Sequence, residues 1–199
     1  MMKEALLLTL LRHGETEGNL SRTWQGDIDS DLNETGRYQV QSIAEKFKAE
    51  EYDMILHSGM RRSYQSAMIL SKELAIDKVI ILTALRDRSL GAAENLTLEE
   101  IEKRYGFRMT NILSEKLDDV PGAETIDHLR SRVINTEKYL VSKYSGKKVL
   151  AVSHGGFIRM FFREFIADPH NIRFTNCSFF TVYIDRNTIS MLEKSVMQV

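Results

Sequence analysis

An arginine and a histidine stand side by side at Arg12-His13, followed by Gly14-Glu15-Thr16, directly after the run Leu6-Leu7-Leu8-Thr9-Leu10-Leu11. An imidazole can act as a nucleophile, and a guanidinium presents a fixed fork of donors that suits phosphoryl oxygens. The pair therefore points to phosphoryl chemistry on histidine. A lone histidine after a strand is also a common surface or structural residue, and one short motif does not choose between the two. A second constellation shifts the balance. Lys148-Val149-Leu150-Ala151-Val152-Ser153 is another β-rich apolar run, and it ends in His154-Gly155-Gly156. The glycine behind each histidine should let a ligand approach the backbone closely.

An apolar run stopped soon afterwards by glycine reads as a buried strand entering a turn. Open α/β sheets hold ligands at the carboxyl ends of their strands, so two parallel strands would aim both imidazoles into one crevice. The rest of the chain alternates in the same way, which favours a layered α/β fold. Ala5 to Leu11 is a first strand, and Leu32 to Gly36 leads into a helix carrying Val40, Ile43, Ala44 and Phe47. Met54-Ile55-Leu56 is a second strand, ending in His57-Ser58-Gly59-Met60-Arg61-Arg62; a helix with Ala67, Leu70 and Leu74 on one face follows. The two arginines are either solvated or part of an anion site at that helix start, where backbone N–H groups already favour anions. Val79 to Leu82 is a third strand.

Thr97-Leu98-Glu99-Glu100 fits a capping box. Thr125 to about Tyr144 reads as a long helix, Val149 to Ser153 as a fourth strand, and Phe157 to Phe162 as the start of another helix. Ser178 to Ile184 and Ile189 to Glu193 resemble a closing hairpin. Met160, Phe161 and Phe162 read as core. With no repeat and no linker rich in proline or glycine, the 199 residues read as one domain.

Composition narrows the function classes. A formal net charge of -1 and a pI near 6.5 provide no basic field for nucleic acid. The single cysteine, Cys177, allows neither an internal disulfide nor a cysteine-based zinc cluster, which fits a reducing cytoplasm. The apolar stretch from Ala5 is too short to span a bilayer and has no cleavage site, so a cytoplasmic protein without membrane attachment is expected. No metal-ligand spacing is persuasive, and the mixed charges leave oligomeric state open.

In these motifs the chain resembles the histidine phosphatase superfamily, which includes the cofactor-dependent phosphoglycerate mutases. The family's Arg-His-Gly-Glu opening, with a following Thr and Asn, is matched by Arg12, His13, Gly14, Glu15, Thr16 and Asn19. Gln25-Gly26, Leu32 with Gly36, Ser58 with Arg62, Pro121-Gly122 with Glu124, and Ser153-His154-Gly155-Gly156 match its later elements in order. The resemblance implies one three-layer α/β/α domain over residues 1–199, with a mostly parallel central sheet. It implies His13 as nucleophile and His154 beside it. Arg12, Asn19 and Arg62, rather than Arg61, would bind the phosphoryl group, with Thr16, Gln25 and Gly26 also in the substrate site.

One position departs from the family pattern. Where a Glu usually donates the proton, the frame here has Asp87, with Gly91, Glu94 and Asn95 following. The Asp carboxyl is one methylene nearer the backbone and proton transfer requires hydrogen-bond reach, which makes Glu94 the substitute candidate, while Asp87 is the favoured acid. The implied activity is metal-independent hydrolysis of a small phosphomonoester through a phosphohistidine, with no cofactor. Resembling mutases tend to be longer and to carry a Lys beyond the acid motif, where this chain has Asn95 to Glu100. Phosphoglycerate mutase is the alternative within the enzyme class, and a phospho-ligand binding module the alternative outside it. His57, His128 and His170 read as structural or exposed. Trp24 reads as either the pocket entrance or a loop anchor. The pocket wall beyond the phosphate is expected from the segment between Arg86 and Val120.

Overall fold

A computed structural model describes residues 5–108, 112–169, 172–185, 188–195 and 197–198. His170 and the tip of the closing hairpin at 186–187 lie outside them. The elements run β1 (Leu6–Arg12), α1 (Glu17–Leu20), α2 (Glu34–Phe47), β2 (Met54–His57), α3 (Arg61–Leu74), β3 (Val79–Ile81), α4 (Leu98–Tyr105), α5 (Ile126–Tyr144), β4 (Lys148–Ser153) and α6 (Gly155–Phe165). β5 (Ile172–Arg173), β6 (Phe179–Asp185), β7 (Thr188–Ser195) and β8 (Met197–Gln198) close the chain.

Six strands form one sheet in the order β3-β2-β4-β1-β6-β7. The first four in that row are parallel, and β6 and β7 join antiparallel as the expected hairpin. Alternation along β1 sends Leu6, Leu8 and Leu10 to one face, where they pack with Leu129 and Val133 of α5 and Phe157 and Phe161 of α6. Leu11 serves the other face, with Val40 and Ala44 of α2 and Ala67 and Leu70 of α3. Helices therefore cover both faces of a mostly parallel sheet, the three-layer α/β arrangement. Met160, Phe161 and Phe162 are buried in that core.

Local chemistry accounts for the helix starts. Asn33 caps α2 by accepting from Gly36 N–H at 2.8 Å, and Thr97 and Glu100 form both halves of the capping box that opens α4. Thr125 caps α5. No helix among the described residues is long and apolar enough to cross a membrane.

The decisive feature for the site is strand register. β1 and β4 are parallel neighbours, with Leu11 opposite Val152 and Arg12 opposite Ser153. His13 and His154 each follow by one residue, so the two motifs leave the sheet together.

Candidate active site

His13 and His154 stand with ring centroids 5.0 Å apart at the carboxyl ends of β1 and β4. Both rings are almost wholly buried. The Nδ1 of His13 lies 2.7 Å from the Gly14 carbonyl oxygen. A carbonyl only accepts, so Nδ1 carries the proton and the neutral ring keeps its lone pair on Nε2. Burial, reinforced by Arg62 and Arg12, holds the His13 pKa well below that of an ordinary imidazole. The ring is thus neutral and its free nitrogen defined.

A hydroxyl chain sets the other ring. Ser63 Oγ donates to the Met60 carbonyl at 2.9 Å and lies 2.6 Å from Ser58 Oγ, which lies 2.7 Å from His154 Nε2. With Ser63's hydrogen directed at the carbonyl, Ser58 donates to Ser63 and His154 Nε2–H donates to Ser58. His154 Nδ1 is left buried with no partner. Burial and the nearby Arg62 also depress its pKa well below the usual value.

Two arginines complete the inner site. Arg12 donates from Nη1 to the Phe174 carbonyl at 2.6 Å. Arg62, 1% exposed at the start of α3, donates to the Ile28 and Gly26 carbonyls at 2.7 and 2.9 Å. The Nε atoms of both arginines are buried without partners among the described residues. Orphaned buried donors are rare in folded proteins, and two of them on cationic groups around one cavity suit an anion. Arg61 instead points outward and pairs with Asp31.

The cavity holds about 350 Å³ and is lined by Arg12, His13, Asn19, Arg62, Asp87 and Gly156, among others. Gln25, Gly26 and Trp24 reach it too, and Trp24 also packs against the core, so its two readings coexist. Thr16 does not line it: fully buried, Thr16 is the N-cap of α1, with its hydroxyl 3.1 Å from both Asn19 Oδ1 and Gln25 Oε1. It sets two wall residues from behind. Glu15 likewise accepts from the α2 cap Asn33 at 3.0 Å rather than facing the cavity. Of the remaining histidines, His57 is buried against Tyr64, and His128 is exposed beside Glu124.

Asp87 and Glu94 are separated by the geometry. Asp87 Oδ1 accepts from Gly156 N–H at 2.8 Å and from Arg88 N–H at 3.0 Å. Two amides hold one oxygen, leaving Oδ2 for the proton. Burial raises this carboxyl above the ordinary aspartate pKa, while Arg62, the Gly156 amide and Arg12 pull it back. Glu94 Oε1 accepts from Asp27 N–H at 2.9 Å and Leu90 N–H at 3.1 Å, tying two loops together behind the lining residues Leu90 and Gly26 rather than facing the cavity. Behind Asp87, Arg132 donates to the Ala84, Arg86 and Asp87 carbonyls and is held by both oxygens of Glu124. Nothing in the periodicity of α5 marks Arg132 for this task.

Gly155, directly behind His154, lines the cavity, while Gly14 and Gly156 are required for packing. A Cβ on Gly14 would lie 2.4 Å from the Gly36 carbonyl, so this glycine lets α2 pack against the turn. A Cβ on Gly156 would lie 2.6 Å from Asp87 Oδ1. Gly156→Ala should therefore displace the carboxylate and lower turnover of alkyl phosphates by about 10- to 100-fold, the scale of an ångström-sized misplacement. Alanine's higher helix propensity should limit the change in melting temperature. Unaltered kinetics would contradict this placement.

The wall beyond the phosphate comes only partly from the predicted segment. Leu90 and Ile112 belong to it, the latter set by the buried Arg88, which donates to the Ile112 and Ser114 carbonyls and pairs with Asp118. Arg22, Arg159 and Phe174 arrive from elsewhere. Asn176, also unflagged by sequence, donates from Nδ2 to the His13 carbonyl and to Asn19 Oδ1, both at 3.0 Å.

The two site histidines also predict a pH response, in the same direction as buried His57, whose pKa burial likewise lowers. Their folded pKa values lie below about 6.5, the value expected once unfolded. Unfolding takes up protons between those limits, so stability should hold above pH 6.5 and fall as pH drops below it. Asp87, shifted upward, acts in the opposite direction nearer the carboxylate range. Urea midpoints should fall between pH 7.5 and 5.5, and less steeply in His154→Gln; a flat profile would refute the assignment.

Fold and site together define an α/β enzyme whose cavity is walled by His13, Arg12 and Arg62, with His154 beside His13. Residues 8–195 match the histidine phosphatase superfamily (branch 1), and the chain belongs to that family. A metal-independent phosphoserine phosphatase of Arabidopsis thaliana is 31% identical over 159 residues, covering 78% of this chain and 67% of that protein. A probable phosphoglycerate mutase of Photorhabdus laumondii is 30% identical over 178 residues, 87% of this chain and 82% of that one. The solved structure of a mycobacterial glucosyl-3-phosphoglycerate phosphatase in complex with VO3 superposes with a TM-score of 0.80 at 26% identity, covering 97% of this chain and 99% of that one.

Proposed function

We propose that the protein is a metal-independent phosphomonoester hydrolase acting on a small phosphorylated metabolite through a phosphohistidine. The observation that carries this is His13: neutral, with Nδ1–H held by Gly14 and Nε2 left as the nucleophile beside two buried arginines.

In the first half of the cycle, the Nε2 lone pair of His13 forms a bond to phosphorus as the ester P–O bond breaks. Protonated Asp87 delivers its proton to the leaving oxygen. Arg12 and Arg62, with Asn19, hold the equatorial oxygens as charge spreads over them. His154 joins them once the incoming dianion draws a second proton onto Nδ1, because an adjacent negative charge reverses the effect that depresses its pKa. In the second half, Asp87 as carboxylate takes a proton from water as that water's oxygen bonds to phosphorus. The N–P bond breaks, its electron pair returns to Nε2, and inorganic phosphate leaves. The fixed arginines supply the charge stabilisation that a metal ion supplies elsewhere. We place the reaction in the cytoplasm and in one domain spanning residues 1–199.

Phosphate release from a panel of phosphomonoesters in EDTA tests the reading, and metal-independent release is expected. The mutase-named relative keeps a second reading in view: conversion of 3-phosphoglycerate to the 2-isomer without net phosphate release would replace hydrolysis by mutase chemistry. Tight ester binding with no turnover would mark a binding module instead.

A further inference from the structure

Among the described residues, four arginines line the cavity, Arg12, Arg22, Arg62 and Arg159, against one carboxylate, Asp87. Arg12 and Arg62 are the deep pair assigned above to the phosphoryl group. The other two have no part in that chemistry.

Arg159 lies on α6, one turn past Gly155-Gly156. Its Nη1 and Nη2 donate to the Pro169 and Ile172 carbonyls at 3.0 and 2.8 Å. Its guanidinium stands 5.3 Å from the centre of the Phe174 ring. These contacts fix the group in place, yet none brings a negative charge; Arg159 makes no ion pair among the described residues. Phe174 also gives its carbonyl to Arg12. One residue thus carries the deep arginine on its backbone and the outer one on its ring, so both cations belong to the same wall. Arg22 is exposed at the rim, and its side chain has no hydrogen bond or ion pair among the described residues.

We propose that Arg159, assisted by Arg22, forms a second anion subsite beside the phosphoryl locus, and that the substrate is a compact phosphomonoester bearing a carboxylate or second phosphoryl group a few bonds from its ester oxygen. This rests on the phosphatase reading above. A half-buried guanidinium without a counter-ion is costly, and a bound anion relieves that cost. Its planar fork suits either anionic group. The cavity, about 350 Å³, accommodates a small metabolite. Trp24, Leu90 and Ile112 provide apolar surface for the carbon skeleton.

The test compares kcat/KM for matched pairs in EDTA: 3-phosphoglycerate against glycerol 3-phosphate, and propane-1,3-diol bisphosphate against its monophosphate. The wild-type protein should favour the more anionic member by about 10- to 100-fold, the worth of a hydrogen bond to a charged group. The pair with the larger ratio identifies which anion the subsite takes. Arg159→Gln should collapse that ratio towards unity, mainly through KM, and Arg159→Lys should retain part of it. Because Arg159 also holds two carbonyls, Arg22→Gln provides an independent reading and should reduce the ratio without touching a packed segment. No preference in the wild-type protein, or equal losses on both members of each pair in Arg159→Gln, would overturn the subsite. Release from p-nitrophenyl phosphate separates the two levels. Its presence without preference defeats the subsite alone, whereas no release from any ester defeats the phosphatase reading and the subsite with it.

Discussion

His13→Ala should reduce steady-state phosphate release by a factor on the order of 10⁶, the size of loss seen when a covalent nucleophile is removed. No neighbour can take over. His154 Nε2 is engaged with Ser58 and its Nδ1 takes up a proton when the dianion binds, while Cys177 is a buried thiol pushed up to about 12. The thiolate needed for attack is therefore absent at neutral pH. The same variant should bind phosphate esters still, because Arg12, Arg62 and His154 remain. Rapid quenching of the wild-type protein with ³²P-labelled substrate should trap label that is stable to alkali and lost in acid, and the variant should trap none. Undiminished release by His13→Ala, or label that persists in it, would remove His13 from the mechanism.

Asp87→Asn should show a loss that depends on the leaving group. Alkyl phosphates need a proton on the departing oxygen, so their turnover should fall by about 10²- to 10⁴-fold. p-Nitrophenolate leaves without one, so its first turnover should survive as a burst. Its steady state should nevertheless slow, because asparagine cannot take the proton from the attacking water. Phosphoenzyme should then accumulate in the variant. The pH profile carries the same signature. The proposed cycle needs His13 neutral and Asp87 protonated at its start. With one pKa pushed down and the other up, the wild-type kcat/KM should peak in the acid range, and the alkaline decline should vanish in Asp87→Asn. Equal losses on alkyl and nitrophenyl esters would move the proton donor elsewhere; Glu94→Gln, which breaks a link between loops, should not reproduce the pattern.

These two residues also mark how far the sequence reaches. His13 was legible because its evidence is local: an apolar run, a charged pair and a glycine lie within a few residues, and the same sequence pattern recurs at His154. Strand and helix positions were legible for the same reason, since alternation and helical spacing are properties of short windows. Thr97 with Glu100 is read correctly because a capping box is closed by residues three apart. Thr16 shows the opposite outcome. It lies within the motif but turns its hydroxyl into a helix cap, a distinction that depends on which way the side chain leaves the backbone.

Asp87 could not be settled from the chain, because its reach depends on a partner 69 positions away. The amide of Gly156, at the start of α6, holds the shorter carboxylate in the cavity, and Arg132 fixes its backbone from a third element. Arg22, Ile112, Arg159 and Phe174 are ordinary residues in their own segments and become one wall only when those segments meet. The sequence by itself determined the α/β class and the family, and named His13, Arg12, Arg62 and His154 as candidates, because each is written in short-range pattern and motif. The tertiary structure alone decided the tautomers, the placement of the acid and the second pair of arginines. Those depend on distances across the fold, which arise from packing the helices onto the sheet.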